Sequence, residues 1–339
     1  MSAVLEDLAL PPAAAEPATR TSIDVAQRAQ LARDVLAGLA LPHKSIPCTW
    51  LYDHRGSQLF ERITQLPAYY PTRNETWILE RCAAQIGAAA GPGATLIELG
   101  SGSSRKTPLL LAALDAPAAY MPIDISAQFL AESVAALRAQ FPALAIEPLV
   151  ADFTRLTALP QLAPRRGRRV VFFPGSTIGI FTPEQASALL ERIGQAAGPD
   201  ALLVVGADST RDPRVLIPAY DDDEGITAAF NKNLLVRINR ELGADFNLSA
   251  FRHEARWNSA EQRVEMHLVS VYTQRVTLLG RSFRFAVGES IHTESSYKHS
   301  LVKLQAIARR AGWSHQQLWM DGQSRFGVHV LQRDVKHDL

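Results

Sequence analysis

Residues 95–114 read TLIELGSGSSRKTPLLLAAL. A run of β-forming residues, TLIELG, passes directly into a turn with two glycines and then into a helical pattern over 104–114. In an open α/β sheet a nucleotide-like ligand sits at the carboxyl ends of the strands, where the strand order reverses. Gly100 and Gly102 would let the backbone approach such a ligand without a Cβ. The start of the following helix supplies free N–H groups. The same rhythm continues downstream. AYMPIDI (119–125), AIEPLVA (145–151), RRVVFFPG (168–175) and ALLVVGAD (201–208) are short apolar runs separated by helical stretches at 126–141 and 183–197. Strands alternating with helices predict a parallel α/β sheet. Apolar residues on successive positions suit strands covered on both faces.

The turn discriminates between cofactors. Dinucleotide sites use G-x-G-x-x-G, whose third glycine allows close helix packing; here the sequence is G-S-G-S-S-R, without it. S-adenosylmethionine carries no phosphate and is bound by a related E/D-x-G-x-G turn, which ELGSG (98–102) matches. Two later acids stand at strand ends in register with it. Asp124 can accept both ribose hydroxyls. Asp152 can accept from the adenine amino group while Phe153 packs on the ring. A lone Asp in such a place is usually a helix cap; three fitting strand ends together favour the ligand.

Outside this region, residues 1–20 are rich in Ala and Pro and read as a disordered tail. Ser22 or Asp24 is placed to cap a helix running through Leu39. LYDHRGSQLFERITQL (51–66) reads as helix-rich, and Pro71 and Thr72 open another helix that ends at Gly91. After Asp208 the alternation stops. Residues 211–246 carry a helical pattern, FRHEARWN, RVEMHLVSVY, QRVTLLG and RSFRFAV read as antiparallel strands, and a helix at 297–311 with two last strands resumes the α/β pattern. The expected division is a substrate-binding subdomain from 21–72 with 210–292, and a cofactor domain from 73–209 with 293–339.

Composition narrows the class. The 339 residues suit roughly two domains. Thirty-five basic against 34 acidic side chains leave a net charge of +1, with no basic stripe, so no nucleic-acid partner is expected. No apolar run approaches the roughly 18 residues of a membrane span, and the N-terminus lacks the pattern of a secretory signal. Two cysteines, Cys48 and Cys82, fit a reduced cytoplasmic protein and cannot build a Cys-rich zinc site. The nine histidines form no H-x-x-x-H or H-E-x-x-H pair, and no metal is expected. Asp221-Asp222-Asp223-Glu224 suits a helix start better than a metal site. A small-molecule substrate and a monomeric enzyme are expected.

Further motifs are recognisable: LYDHRGSQLFERITQLPAYYPTR (51–73), LIELGSGSSRKT (96–107), FFPGSTIG (172–179), AYDDDEGITAAFNKNLLVRINRELGADF (219–246), WNSAEQRVEMHL (257–268) and TESSYK (293–298). With these the sequence resembles the L-histidine Nα-methyltransferases of ergothioneine biosynthesis, from about residue 45 to the end. Fungal dimethylallyltryptophan N-methyltransferases are more distant relatives. The resemblance implies a Rossmann-like class I methyltransferase fold with an inserted α+β substrate subdomain. It implies transfer of up to three methyl groups from S-adenosylmethionine to the α-amine of histidine, giving hercynine. Gly100, Gly102, Lys106, Asp124, Asp152 and Phe153 would line the cofactor site, with Lys106 at the methionine carboxylate. Tyr52, Phe60 and Tyr69 would wall the histidine pocket. Gly175 and Thr177 would lie beneath the reacting amine. Tyr220 would bind the carboxylate, Met266 would cover the ring, and Glu294 and Ser296 would hold the imidazole nitrogens. A Glu and a Ser two residues apart on an extended segment do point to one side.

One position departs from the pattern. The family's fourth-strand motif continues to Asn, which helps hold the substrate carboxylate; here that position is Ile180. Three outcomes stay open: a histidine methyltransferase of weakened affinity, a methyltransferase for the amine of another aromatic amino acid, or a cofactor-binding paralogue whose substrate site has decayed.

Overall fold

A computed structural model describes residues 25–156 and 167–334. The expected tail and the cap at Ser22 or Asp24 lie outside the described residues. In chain order the elements are α1 (Val25–Leu39), a 3-10 turn (Cys48–Leu51), α2 (His54–Ile63), α3 (Tyr70–Ala90), β1 (Thr95–Leu99), α4 (Thr107–Leu111), β2 (Ala119–Asp124), α5 (Ala127–Gln140), β3 (Leu149–Val150) and β4 (Arg169–Phe173). There follow α6 (Pro183–Ala197), β5 (Leu202–Asp208), α7 (Pro213–Tyr220), α8 (Ile226–Leu242), β6 (Phe251–Asn258), β7 (Arg263–Ser270), β8 (Gln274–Leu278), β9 (Arg281–Phe285), β10 (Ser290–Tyr297), α9 (Leu301–Arg310), β11 (Trp313–Met320) and β12 (Phe326–Arg333).

Seven strands form one sheet in the order β11-β12-β5-β4-β1-β2-β3. β1 to β5 run parallel, and β12 and β11 close the edge antiparallel. From β1 the chain goes outward to β2 and β3, then returns to β4 on the other side. The order therefore reverses between β1 and β4, which opens a crevice at their carboxyl ends. Alternate side chains serve the two faces. Leu96, Val170, Phe172 and Val204 pack with Ile78, Leu79, Cys82 and Ile86 of α3. Ile97, Val171, Phe173, Leu203 and Val205 pack with Leu189, Leu190 and Ile193 of α6 and with Leu304 and Ile307 of α9.

A third core belongs to the rest of the chain. Leu31, Val35, Trp50, Leu51, Leu59, Ile63, Phe230, Leu234, Leu268 and Ile291 gather around a three-stranded sheet, β10-β7-β6, with β8 and β9 as a separate hairpin. Asp53 caps α2, its side chain accepting from Gly56 N at 2.8 Å. Asp222, within the acidic run, accepts from Ile226 N at 2.9 Å and Thr227 N at 2.7 Å, so it opens α8.

Some boundaries differ from expectation for local reasons. The third strand keeps only Leu149–Val150, because Pro148 has no N–H for a ladder. The helical pattern of 211–246 is two helices, parted where Gly225 takes φ +70°. The helix expected from 297 begins at Leu301, where the Ser300 side chain accepts from Lys303 N at 3.3 Å. Residues 290–297 are instead paired with β7, so β10 runs across the expected boundary at 293.

Candidate active site

The cofactor turn is made mostly by backbone. Gly100 and Gly102 hold φ of +66° and +52°, the left-handed region that favours glycine. Gly100 N and Ser101 N donate to Ile123 O at 2.8 and 3.1 Å, tying the turn to the end of β2. Asp124, at that end, accepts from Gly102 N on Oδ2 and from Ser126 N on Oδ1, both at 2.9 Å. Burial raises its pKa, and these N–H bonds work against that rise. Each carboxylate oxygen keeps acceptor capacity beyond its backbone bond. Asp152 Oδ1 takes Thr154 N at 2.9 Å and Thr154 Oγ1 at 2.6 Å. The Phe153 ring stands edge-on to Phe173 at 5.5 Å, and a Cβ on Gly100 would lie 3.4 Å from its Cε1.

The acid of ELGSG has another task. Glu98 is buried and accepts from Thr107 Oγ1 at 2.6 Å and from the Tyr120 hydroxyl, joining β1, α4 and β2. Burial pushes its carboxyl up to about 7.

Lys106 projects from the turn to Glu75 of α3, a fully buried carboxylate that pairs with its ammonium. Glu75 Oε2 also accepts from Gly175 N at 2.8 Å. This draws the end of β4 against the cofactor turn: a Cβ on Gly175 would stand 4.0 Å from Lys106 Nζ, and Gly175 itself holds φ +76°. The next residue, Ser176, also takes φ +58°, stabilised by the bond its Oγ accepts from Asp208 N at 3.0 Å. Thr177 Oγ1 donates to Pro174 O at 2.7 Å and opens the short turn that ends in Ile180. Gly179 in this turn is pressed against β10, since a Cβ there would lie 2.7 Å from Tyr297 O.

The opposite wall is aromatic. Tyr52 meets Phe60 at 5.7 Å, Phe60 meets Tyr69 at 6.1 Å, and Tyr69 meets Tyr220 at 6.2 Å, all edge to face. Phe230 of α8 backs the wall, 5.3 Å from Tyr52 and 6.0 Å from Phe60. Glu294 Oε2 accepts from the Tyr52 hydroxyl at 3.2 Å, and Met266 is its register partner on β7. Burial pushes the Glu294 carboxyl up to about 7, against the lowering pull of Tyr52 and Lys298. Ser296 Oγ lies 2.8 Å from the Tyr220 hydroxyl.

The sequence-derived residues thus fall into two groups, with the end of β4 in contact with both. Gly100, Gly102, Lys106, Asp124, Asp152 and Phe153 stand at the ends of β1, β2 and β3. Tyr52, Phe60, Tyr69, Tyr220, Met266, Glu294 and Ser296 form the other group, and Gly175, Thr177 and Ile180 lie at the end of β4. Five buried or half-buried contributors escaped the sequence reading: Tyr70, Glu75, Asp208, Phe230 and Lys298. Two carried a usable signal. Asp208 ends a strand as Asp124 does. Lys298 continues the alternation Glu294, Ser296.

A family model for a histidine-specific, SAM-dependent methyltransferase matches residues 31–333. The chain is 43% identical to a histidine N-alpha-methyltransferase of Mycolicibacterium smegmatis over 89% of this chain and 95% of that one. It is 41% identical to a histidine N-alpha-methyltransferase of Mycobacterium tuberculosis over the same shares, 89% and 95%. Ergothioneine biosynthesis protein 1 of Neurospora crassa is 29% identical over 86% of this chain and 33% of that protein.

Proposed function

The chain belongs to the histidine-specific, S-adenosylmethionine-dependent methyltransferase family, and on that premise we propose that it methylates the α-amine of L-histidine, up to three times, to give hercynine for ergothioneine biosynthesis. The observation that carries this reading is the placement of Glu294 beside Ser296 at the foot of an aromatic wall. A buried acid and a hydroxyl on one side of a strand match the donor and acceptor of a neutral imidazole.

The residues present fit the cofactor. A Cβ on Gly100 would fill the space between the turn and Phe153. Lys106 would hold the methionine carboxylate, Asp124 the ribose, and Asp152 with Phe153 the adenine. When bound, S-adenosylmethionine supplies an electrophilic methyl carbon on a sulfonium, open to in-line attack.

The chain's own residues then have three duties. The wall of Tyr52, Phe60, Tyr69 and Tyr220 excludes water, and desolvation favours the neutral, nucleophilic amine over the ammonium. Glu294 and Ser296 fix the ring, so that the amine is oriented at near-attack distance, which supplies much of the rate. Gly175 and Thr177 are small, which leaves room for a head that grows with each methyl group. Both cysteines are free, which supports a place in a reducing cytoplasm. No described helix is long and apolar enough to cross a membrane.

The test is a scan of the amino acids with methyl-labelled cofactor and purified protein. Label on histidine, with mono-, di- and trimethylated products in succession, is the expected result. Label on another aromatic amino acid in preference to histidine, or on none, overturns the assignment.

A further inference from the structure

β10 carries one residue more than its ladder with β7 needs. Directly opposite residues of an antiparallel pair share a face of the sheet, so the register sorts the strand. Ile291 stands against Leu268, Glu294 against Met266 and Ser296 against Val264. Ile291, Leu268, Met266 and Val264 all belong to the third core. His292 stands against His267, Ser295 against Glu265 and Tyr297 against Arg263, on the opposite face. There the rings of His267 and His292 stack at 5.1 Å, and the Arg263 guanidinium lies 5.2 Å from the centre of the Tyr297 ring. Ile291 and Glu294 are three positions apart, and strict alternation would put them on opposite faces. Thr293 makes the difference. From His292 to Glu294 the strand advances two residues while β7 advances one, so Thr293 stands outside the paired register as a β-bulge.

The bulge is pinned from both sides. His292 N donates to Lys44 O at 2.9 Å, and Ile46 N donates to His292 O at 3.0 Å. The outer edge of β10 is thereby tied to the segment that leads into Tyr52. His292 Nε2 lies 3.0 Å from Glu294 O; a carbonyl only accepts, so this nitrogen carries the ring proton. Thr293 is 1% exposed, and its Oγ1 donates to Met266 O at 3.0 Å. That one bond fastens the bulge to the residue opposite Glu294. Beyond it, the pairs from Ser295 to Tyr297 fix the rest of the strand.

Resting on the histidine reading above, we propose that the bulge at Thr293 is a specificity-determining element of the ring site, and that Thr293 is a positioning residue that aims Glu294. Thr293 does not touch the substrate; it acts through the Glu294 carboxylate. A strand without Thr293 would be regular and would keep the same residues on the same faces: Ile291, Glu294 and Ser296 inward, His292 and Ser295 outward. What the extra residue adds is the bend and the increased local twist of a bulge. These turn the Glu294 carboxylate to its place beside the Tyr52 hydroxyl, 3.2 Å away.

The experiment deletes Thr293, in the wild type and in Glu294→Ala, and reads kcat/KM for histidine with cofactor affinity by calorimetry. A regular ladder leaves the large sheet alone, so cofactor affinity should hold within about twofold. A misplacement of about 1 Å in a positioning group costs up to about a hundredfold. The deletion should therefore lower kcat/KM for histidine at least about tenfold in the wild type. In Glu294→Ala it should lower it less than about threefold, because the group it aims is already gone. A merely structural role would lower both alike. If the deletion does not fold, Thr293→Val takes its place: it removes the hydroxyl at nearly constant shape and chain length. Its loss in the wild type should be about threefold to tenfold, and Thr293→Ser, which keeps the hydroxyl, should stay within about twofold. A folded deletion with wild-type kcat/KM overturns the proposal, as does an equal loss with and without Glu294. So does a Thr293→Val protein with wild-type kcat/KM, where the deletion does not fold. A wild type that leaves histidine unmethylated overturns the proposed function itself, and the role of the bulge with it.

Discussion

The cofactor end and the substrate end of the crevice each bury a carboxylate, and they hold it differently. Glu75, behind the cofactor turn, is 0% exposed, pairs with Lys106 and accepts from Gly175 N. Among the described residues the Glu294 carboxylate, at the substrate end, has one hydrogen-bond partner, the Tyr52 hydroxyl at 3.2 Å. The cation near it, Lys298, forms its ion pair with Asp208. One acid braces the fold. The other keeps spare acceptor capacity and carries the cost of burial. Binding groups that are left under-partnered in the free protein are a recurrent source of a stability–function trade-off.

The largest effect should follow from breaking the first carboxylate. Glu75→Ala leaves Lys106 without its partner and Gly175 N without its acceptor, and should cost about 3–5 kcal/mol. Urea unfolding at neutral pH measures it. A loss below about 1 kcal/mol would mean that Glu75 is no brace.

The second carboxylate should respond with the opposite sign. Its folded pKa, about 7, lies above the ordinary 4.5, so folding favours the protonated form. The cost to stability is absent below about pH 4.5 and complete above about pH 7. At roughly 1.4 kcal/mol for each tenfold in proton affinity, it amounts to about 3 kcal/mol at pH 8. Glu294→Gln keeps an acceptor for Tyr52 and should recover most of that at pH 8 and almost none at pH 4.5. Equal stabilisation at both pH values would contradict the unpaired-carboxylate picture.

Smaller effects sharpen the contrast. Asp124→Ala should weaken cofactor binding by about 2–3 kcal/mol, since the lost bonds have a charged acceptor. Calorimetry that finds unchanged affinity would remove Asp124 from the ribose site. Ile180→Asn should lower the KM for histidine by roughly tenfold, the worth of one good donor to a carboxylate, and leave cofactor affinity alone. If the constant is unchanged or rises, Ile180 suits the true ligand and the substrate is another amino acid.

The two ends also differ in how far the sequence discloses them. At the cofactor end the chemistry is local. A tight turn needs glycine at fixed offsets, so Gly100 and Gly102 stand out, and Asp124 and Asp152 are marked by their place at strand ends. At the substrate end the group is drawn from α2, α7, α8, β7 and β10, segments far apart in the chain, and only the resemblance to a family pointed to it. Glu75 reads as one more polar residue on a helix, and its partner Lys106 is brought to it by the packing of α3 on the sheet. Phe230 has the helical spacing of any core residue. β10 runs on to Tyr297, the residue at which a helix was expected to start; β7 supplies its partners, with a register shift between His292 and Glu294.

In the proposed function Glu294, with Ser296 beside it, reads the imidazole of the substrate. Its most direct test is the ratio of kcat/KM for histidine to that for tryptophan in the wild type and in Glu294→Ala. The wild type should prefer histidine strongly, and the variant should lose at least about tenfold of that preference, because a pocket without the acid no longer rewards a ring N–H. An undiminished ratio in a folded, cofactor-binding Glu294→Ala protein would contradict the account.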